Sequence, residues 1–390
     1  MSAPRYMQGY NPVAGKWYPV KKAPAPAAYY KYAHQDVIGQ RYPDLLCPNV
    51  KTANEISYEV NNAPDNYAEV KLVADIDMRR DDGKISVIYI PAGKTLELDL
   101  NGHTIKGDAW MIYNFGSVIV KDTAGGGKIV AVTKNTYSIV YNNGGNFTLL
   151  SGTLAAEPDD RQDPEAPNWC YGIYGLNKGT INIKGGQIIT DSAAGVSSNG
   201  TTGDVYIYIS GEAKLISKSS VSIYLPTQQN LNIKDKAELT GGICARMGQI
   251  VIEDNVSIKG VSLDNECPVS MLVSQKSGII ERPEPIYILS GTFKSDNEEY
   301  GNSCSVVIGK NVKLKANSDS VSNIGIYKLD YNYNQTVNVS LKNAKATYKV
   351  YEEDEIYDYC VADGVPYTIR EDINTDATVT IADNKVYPLV

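Results

Sequence analysis

The chain has 390 residues, 43% of them hydrophobic and 21% charged, with a formal net charge of −8. That apolar share is enough for a core, and the acidic balance disfavours nucleic acid or an anionic membrane as partner. No stretch approaches the ~20 apolar residues needed to cross a bilayer, so membrane insertion is excluded as an expectation.

Residues 1–45 are rich in Pro and Tyr, with apolar residues at no regular spacing. Pro4, Pro12, Pro19, Pro24 and Pro26 favour extended backbone, and the segment cannot form a core by itself. It is no ordinary linker, because it carries Trp17 and a set of tyrosines beside Arg5, the residue types that interfaces use as anchors. The reading is an extended arm ordered by a partner, with Arg5, Tyr6, Tyr10, Trp17 and Tyr18 as its anchors; a disordered tail is the alternative. Met1 is followed by Pro and Tyr rather than a basic stub and an apolar run, so the chain is expected to stay where it is made or leave by lysis.

Residues 46–88 read as a capping module with short strands at 56–60 and 70–74 around an Asn-Asn-Ala-Pro-Asp turn. Residues 89–350 are dominated by a repeat. A strand-like alternation runs into a Gly, Asn or Asp turn and then a second short apolar pair. The first copy is Leu96-Glu97-Leu98-Asp99-Leu100, then Asn101-Gly102, then Thr104-Ile105-Lys106-Gly107. Its relatives include GNFTLLSGTLAA, GTINIKGGQIIT, GDVYIYISGEAKLIS and GQIVIEDNVSIKG. A recurring unit of about 20 to 50 residues means a solenoid, since each unit buries its inner face only against its neighbours. A third strand precedes each pair, at 111–113, 137–141, 172–174, 221–225, 270–273 and 324–327. Period-two apolarity argues strand, and the turn residues supply bent or left-handed backbone at the corners.

The expected fold is therefore all-β: a right-handed single-stranded parallel β-helix of about ten coils, with an extended N-terminal arm and a short β cap at each end. The central apolar residue of each long strand is expected to line one inner stack: Leu98, Ile119, Leu149, Ile183, Ile207, Ile233, Ile252, Ile288 and Val307. Residues 351–390 open on an acidic run, Glu352 to Asp358, and return to short strands that close the far end.

The aromatic set is lopsided, 29 Tyr against 3 Phe and 3 Trp. Tyr joins an apolar ring to a polar tip, which suits a surface that touches protein or sugar; filling of outward β positions is the plainer reading. The six cysteines (47, 170, 244, 267, 304 and 360) form no C-x-x-C pair, and the histidines are His34 and His103 alone. Free thiols are expected, with Cys244 and Cys304 packing as small apolar groups, and neither a metal site nor a cofactor is expected.

The segment Ile90-Pro91-Ala92-Gly93-Lys94-Thr95-Leu96-Glu97-Leu98-Asp99-Leu100-Asn101-Gly102-His103-Thr104-Ile105 resembles the opening coil of many bacterial and phage parallel β-helices of the pectate-lyase-like type. With its short N-terminal arm, the chain further resembles virion-attached fibres, in particular the head fibres of crAss-like phages of Bacteroides. The resemblance implies a homotrimeric structural protein, assembled in the host cytoplasm and held on the capsid surface. There the arm 1–45 would bind a major or auxiliary capsid protein, and a cell-surface glycan would be a further partner.

A depolymerase on the same fold would need paired carboxylates, or Ca²⁺ held by acidic side chains with an Arg or Lys base. The candidates are Asp159, Asp160, Asp163 and Glu165 beside Arg161, and the loop at 296–299. The former lie in a Pro-rich insertion, where a solvated loop is the expected role, since acid/base geometry is better held by a rigid scaffold. Lys94, Lys106, Lys184 and Lys234 read as outward solubility residues and His103 as a turn residue. No acidic pair is expected on adjacent coils, so the chain is read as no enzyme; a depolymerase and an exported bacterial adhesin are the alternatives.

Overall fold

The computed structural model describes residues 49–352 apart from short internal segments, of which 159–169 and 262–284 are the longest, together with strands at 7–11, 16–20, 365–373, 378–382 and 385–388. Three long sheets make up the body: sheet 1 with 13 strands, sheet 2 with 9 and sheet 3 with 11. Each coil contributes one strand to each sheet in turn. Coil 1 is Tyr67–Leu72, Ile76–Asp77 and Ile88–Ile90; coil 2 is Thr95–Asp99, Thr104–Gly107 and Ile112–Asn114; coil 3 is Ser117–Lys121, Lys128–Ala131 and Ser138–Asn143. The same order continues through coil 9, Ser303–Ile308, Lys313–Lys315 and Ile324–Lys328. Among the described residues a tenth coil supplies Thr336–Leu341 and Ala346–Glu352. The pairing between successive coils is parallel and in register, so the chain is a parallel β-helix of the expected coil number.

Inward positions form continuous rows. In sheet 1 one row runs Val70, Leu98, Val120, Leu149, Ile183, Ile209, Ile233, Ile252, Ile308 and Leu341, each at most 1% exposed. A second runs beside it through Leu96, Val118, Phe147, Ile181, Ile207, Leu231, Ile250, Val306 and Val339. Burying a side chain of this size against like neighbours stabilises by roughly 1.5–3 kcal/mol, and the sum over many coils offsets the cost of ordering the chain.

These rows correct the expected single stack. Ile119 and Val307 are half-buried on the outer face, and Val120, Val306 and Ile308 take the inward places. In SVIVK and CSVVI several apolar residues are consecutive, so apolarity alone does not fix which parity faces in. Ile207 is buried but belongs to the second row. Ile288 lies in Ile286–Ser290, a strand of sheet 3 rather than sheet 1, and its side chain is outside the described ones. The expected third strand at 270–273 lies outside the described residues.

Two corners repeat from coil to coil, one by backbone conformation and one by side chains. Between sheets 1 and 2 the chain turns through positive φ at Asn101, Gly102, Gly152, Gly186, Gly211, Asp235, Asp254 and Asn311, as the turn residues predict. Between sheets 3 and 1 stands a buried amide ladder: Asn114 Nδ2 donates to Asn142 Oδ1 at 2.6 Å, and Asn142 Nδ2 to the carbonyl of Gly145 at 2.9 Å. A Cβ on Gly145 would lie 2.5 Å from Asn114 Nδ2, so only glycine admits this ladder.

The coils begin at Tyr67, earlier than the expected boundary at 89. Ahead of them a helix, Ala53–Asn62, replaces the expected strand at 56–60. Ile56 and Val60 are spaced for a strand and for one helical face alike; capping decides, since Thr52 Oγ1 accepts from Glu55 N and the Glu55 carboxylate accepts from Lys51 N at 2.6 Å. The helix packs on the coil 1 strands and covers the end of the core. At the far end Val365–Ile373 and Thr378–Ala382 pair antiparallel with coil 10, which ends the parallel stacking. Most of the acidic run, 353–358, lies outside the described residues.

Candidate functional site

Three outward features carry chemistry. The first is on sheet 1 at the start of the body. Glu69 and Glu97 are register partners on adjacent coils, the pairing the sequence reading did not expect. Lys121, one coil on, donates to Glu97 Oε1 and, at 3.2 Å, to Glu69 Oε1, while the Tyr67 hydroxyl donates to Glu97 Oε2. Burial alone would raise the Glu97 carboxyl, but the hydrogen bonds from Lys121 and Tyr67 outweigh it and hold the group below the usual carboxylate range. Burial, with the bond to Glu97, pushes Tyr67 up to about 12. Burial pulls the Lys121 ammonium down, and its two carboxylate partners more than reverse this. Glycoside hydrolysis needs one carboxyl kept protonated near neutral pH by a raised pKa. Glu97 is displaced the opposite way and shares its counter-ion with Glu69, and the cluster ties coils 1, 2 and 3 together.

The second feature is an aromatic ladder on the outer face of sheet 3. Tyr89, Tyr113, Tyr141 and Tyr174 are successive register partners. Tyr113 and Tyr141 stack with centroids 4.6 Å apart and planes 11° from parallel. Tyr89 stacks on Tyr113 at 6.2 Å and Tyr174 on Tyr141 at 6.1 Å, while Trp110 meets Tyr113 and Tyr141 edge-on. Tyr113 and Tyr141 spend their faces on each other and on the flanking tyrosines, while Tyr89 at the end of the row is 42% exposed. The ladder supports the stack; it is a poor platform for a flat ligand. Burial pushes the Tyr174 hydroxyl up to about 12, and beyond it the row closes over at Ser197 and Tyr224, both buried.

The third is the outer face of sheet 1 from coil 4 to coil 9. Its two outward rows are Asn146, Thr180, Tyr206, Asn230, Gln249 and Ser305, and Thr148, Asn182, Tyr208, Asn232, Val251 and Val307. Not one of these twelve side chains is charged. Tyr206 and Tyr208 are 37% and 43% exposed, and neither makes a ring contact among the described residues.

Of the expected anchors, Tyr10 and Trp17 are register partners in an antiparallel pair, Met7–Asn11 with Lys16–Val20, where Tyr18 pairs with Gly9. This part of the arm is thus a two-stranded ribbon. Arg5 and Tyr6 lie outside the described residues, as do Asp159, Asp160, Arg161, Asp163 and Glu165. Glu298–Glu299 pairs with Lys294–Ser295. His103 lies 3.3 Å from Asp75 at the first corner, in keeping with a turn residue. Lys94 and Lys106 are half-buried outward residues, and Lys184 and Lys234 are exposed. Cys170, Cys244 and Cys304 are buried, and burial alone pushes the Cys304 thiol up to about 12. Among the described residues there is no group of three or more His, Cys, Asp or Glu able to hold a metal, and no helix long and apolar enough to cross a membrane.

The Glu69–Glu97 pair escaped the sequence reading because Tyr67–Leu72 was assigned to a cap. YAEVKL does alternate in the same phase as TLELD, and that phase was the available signal. Comparison with protein-family models, with curated proteins and with solved structures finds no match to this chain.

Proposed function

We propose that the chain is a non-catalytic structural fibre displayed on a phage capsid, attached through residues 1–45 and offering its outer faces to other molecules. The observation that carries this reading is the unbroken inward row from Val70 to Leu341, which makes the body a dry shaft. At about 4.8 Å per coil, ten coils extend roughly 45–50 Å. The resemblance of residues 90–105 to phage β-helices and the aromatic, Pro-stiffened arm support the placement on a particle. Homotrimers are part of the proposal: in the outward row of sheet 2, Val130 and Ala155 are already buried within the protomer, while Ile189 and Ile216 further along are only half-buried and leave apolar surface that symmetric copies can cover.

The second reading is a polysaccharide depolymerase, which would need an acid and a base carboxyl paired on the outer face. Incubation with bacterial capsular polysaccharides is expected to release no reducing ends or unsaturated products. Product that disappears on Asp160→Asn, Asp163→Asn or Glu97→Gln substitution would establish the depolymerase instead. Attachment is tested by removing residues 1–45: the shortened chain is expected to fold and oligomerise but to be missing from particles, and full occupancy without the arm would refute the anchoring role.

A further inference from the structure

We infer that the charge-free outer face of sheet 1 around Tyr206 and Tyr208 is a binding site for a neutral saccharide chain. The inference deepens the reading of the chain as a displayed fibre by naming a surface and a ligand class.

Four observations converge on it. First, the two tyrosines sit at alternate positions of one strand, Val205–Ile209, and both face out. Side chains two residues apart on one face are separated by about 6.6 Å, so the rings offer neighbouring platforms on a rigid support. Second, neither ring stacks on another ring among the described residues, and both are partly exposed, at 37% and 43%, so each presents apolar ring surface that the C–H face of a pyranose can cover. Third, the rings are framed by hydrogen-bonding groups. Tyr206 has Thr180 and Asn230 as register partners, and Tyr208 has Asn182 and Asn232. Each Asn amide carries donors and an acceptor together, the combination that adjacent sugar hydroxyls require. Fourth, the face matches an uncharged ligand. Both rows are neutral over six coils in a chain of net charge −8, whereas the row of Tyr208 carries Glu69 and Glu97 on coils 1 and 2. Charge returns at the edge, where Lys184 and Lys234 flank Ser210 on adjacent coils.

A protein interface is the competing use of a Tyr- and Asn-rich face, and an acidic glycan held by Lys184 and Lys234 is the competing ligand. One experiment separates them. The purified full-length chain is passed over immobilised laminarin, mannan and dextran, all neutral, and over alginate, which is acidic, with oligomeric mass measured in parallel. Binding to at least one neutral polysaccharide is expected. It should fall at least about tenfold in the Tyr206→Ala/Tyr208→Ala and Asn182→Ala/Asn232→Ala double variants, with oligomeric mass and thermal midpoint unchanged. Lys184→Gln/Lys234→Gln should bind like the parent chain. The inference is overturned if no neutral polysaccharide binds, if alginate alone binds and the lysine variant loses it, if binding ignores the tyrosine and asparagine changes, or if the tyrosine variant changes the oligomeric mass. All readouts use the isolated chain, so failure of capsid attachment and failure of saccharide binding are separately visible.

Discussion

Adjacent residues of one strand test the register of the core. Val120 is fully buried between Leu98 and Leu149, whereas Ile119 is half-buried on the outer face beside Glu97 and Thr148. Replacing each in turn by Asn adds the same uncharged amide at neighbouring sites. At position 120 the change forfeits roughly 1.5–3 kcal/mol of apolar burial and leaves a buried amide unsatisfied at about 1–3 kcal/mol, so a loss of about 3–5 kcal/mol is expected. At position 119 the amide reaches water, and the cost is expected to stay within about 1 kcal/mol. A solenoid can lose a few coils without unfolding as a whole, so a global melting curve blurs the contrast. Hydrogen exchange of the amides in Ser117–Lys121 and its partners Thr95–Asp99 and Asn146–Leu149 reads it locally. Val120→Asn should collapse their protection and Ile119→Asn should leave it nearly intact. Equal effects, or the reverse order, would refute the inward row.

Asn142→Ala is expected to cost about 1–2 kcal/mol, because it removes one of the two donors to the carbonyl of Gly145, which keeps Thr180 N, and one of the two acceptors of Asn114 Nδ2, which keeps the carbonyl of Asn146; exchange at Gly145 and Thr180 would report it. The Glu97–Lys121–Tyr67 cluster gives stability a plateau in pH. Glu97 is depressed when folded, so its contribution is present above the free carboxylate pKa of about 4.3 and is lost as pH falls through the folded value. Tyr67 and Lys121 are raised, so theirs is present below about pH 10 and is lost as pH climbs through their folded values, about 12 for the tyrosine. Glu97→Gln should flatten both limbs in pH-dependent denaturation, and unchanged limbs would remove the cluster from the account. Iodoacetamide at neutral pH should leave Cys170, Cys244 and Cys304 unlabelled in the native chain and label them in denaturant, as read by mass spectrometry.

The coil architecture was legible because each repeat declares itself twice, in the alternation of its strands and in the turn residue between them. LELDLNG, NFTLLSG and INIKGG each set two inward residues against a left-handed corner, and the structure uses them that way. Parity failed at Ile119 and Val307 because three consecutive apolar residues satisfy either phase, and only pairing with Glu97–Leu98 or Val251–Ile252 selects one. EPIYILSG mimics a sheet 1 strand and its corner so closely that local pattern misplaces it by one sheet. Helix Ala53–Asn62 was missed because ISYEV fits both periods and the deciding signal, Thr52 with Glu55, lies outside that window. The outward sites were less legible. Count alone makes tyrosine conspicuous, but whether a ring face is spent on another ring or left free depends on which residues lie one coil away.

The claim that the chain is a fibre on a phage particle is tested most directly by electron microscopy of purified particles labelled with an antibody against its β-helical body. The account predicts label at regular positions on the capsid surface, on short projections whose shaft is roughly 45–50 Å long. Label that is absent from particles, or confined to host cell surfaces, would contradict it.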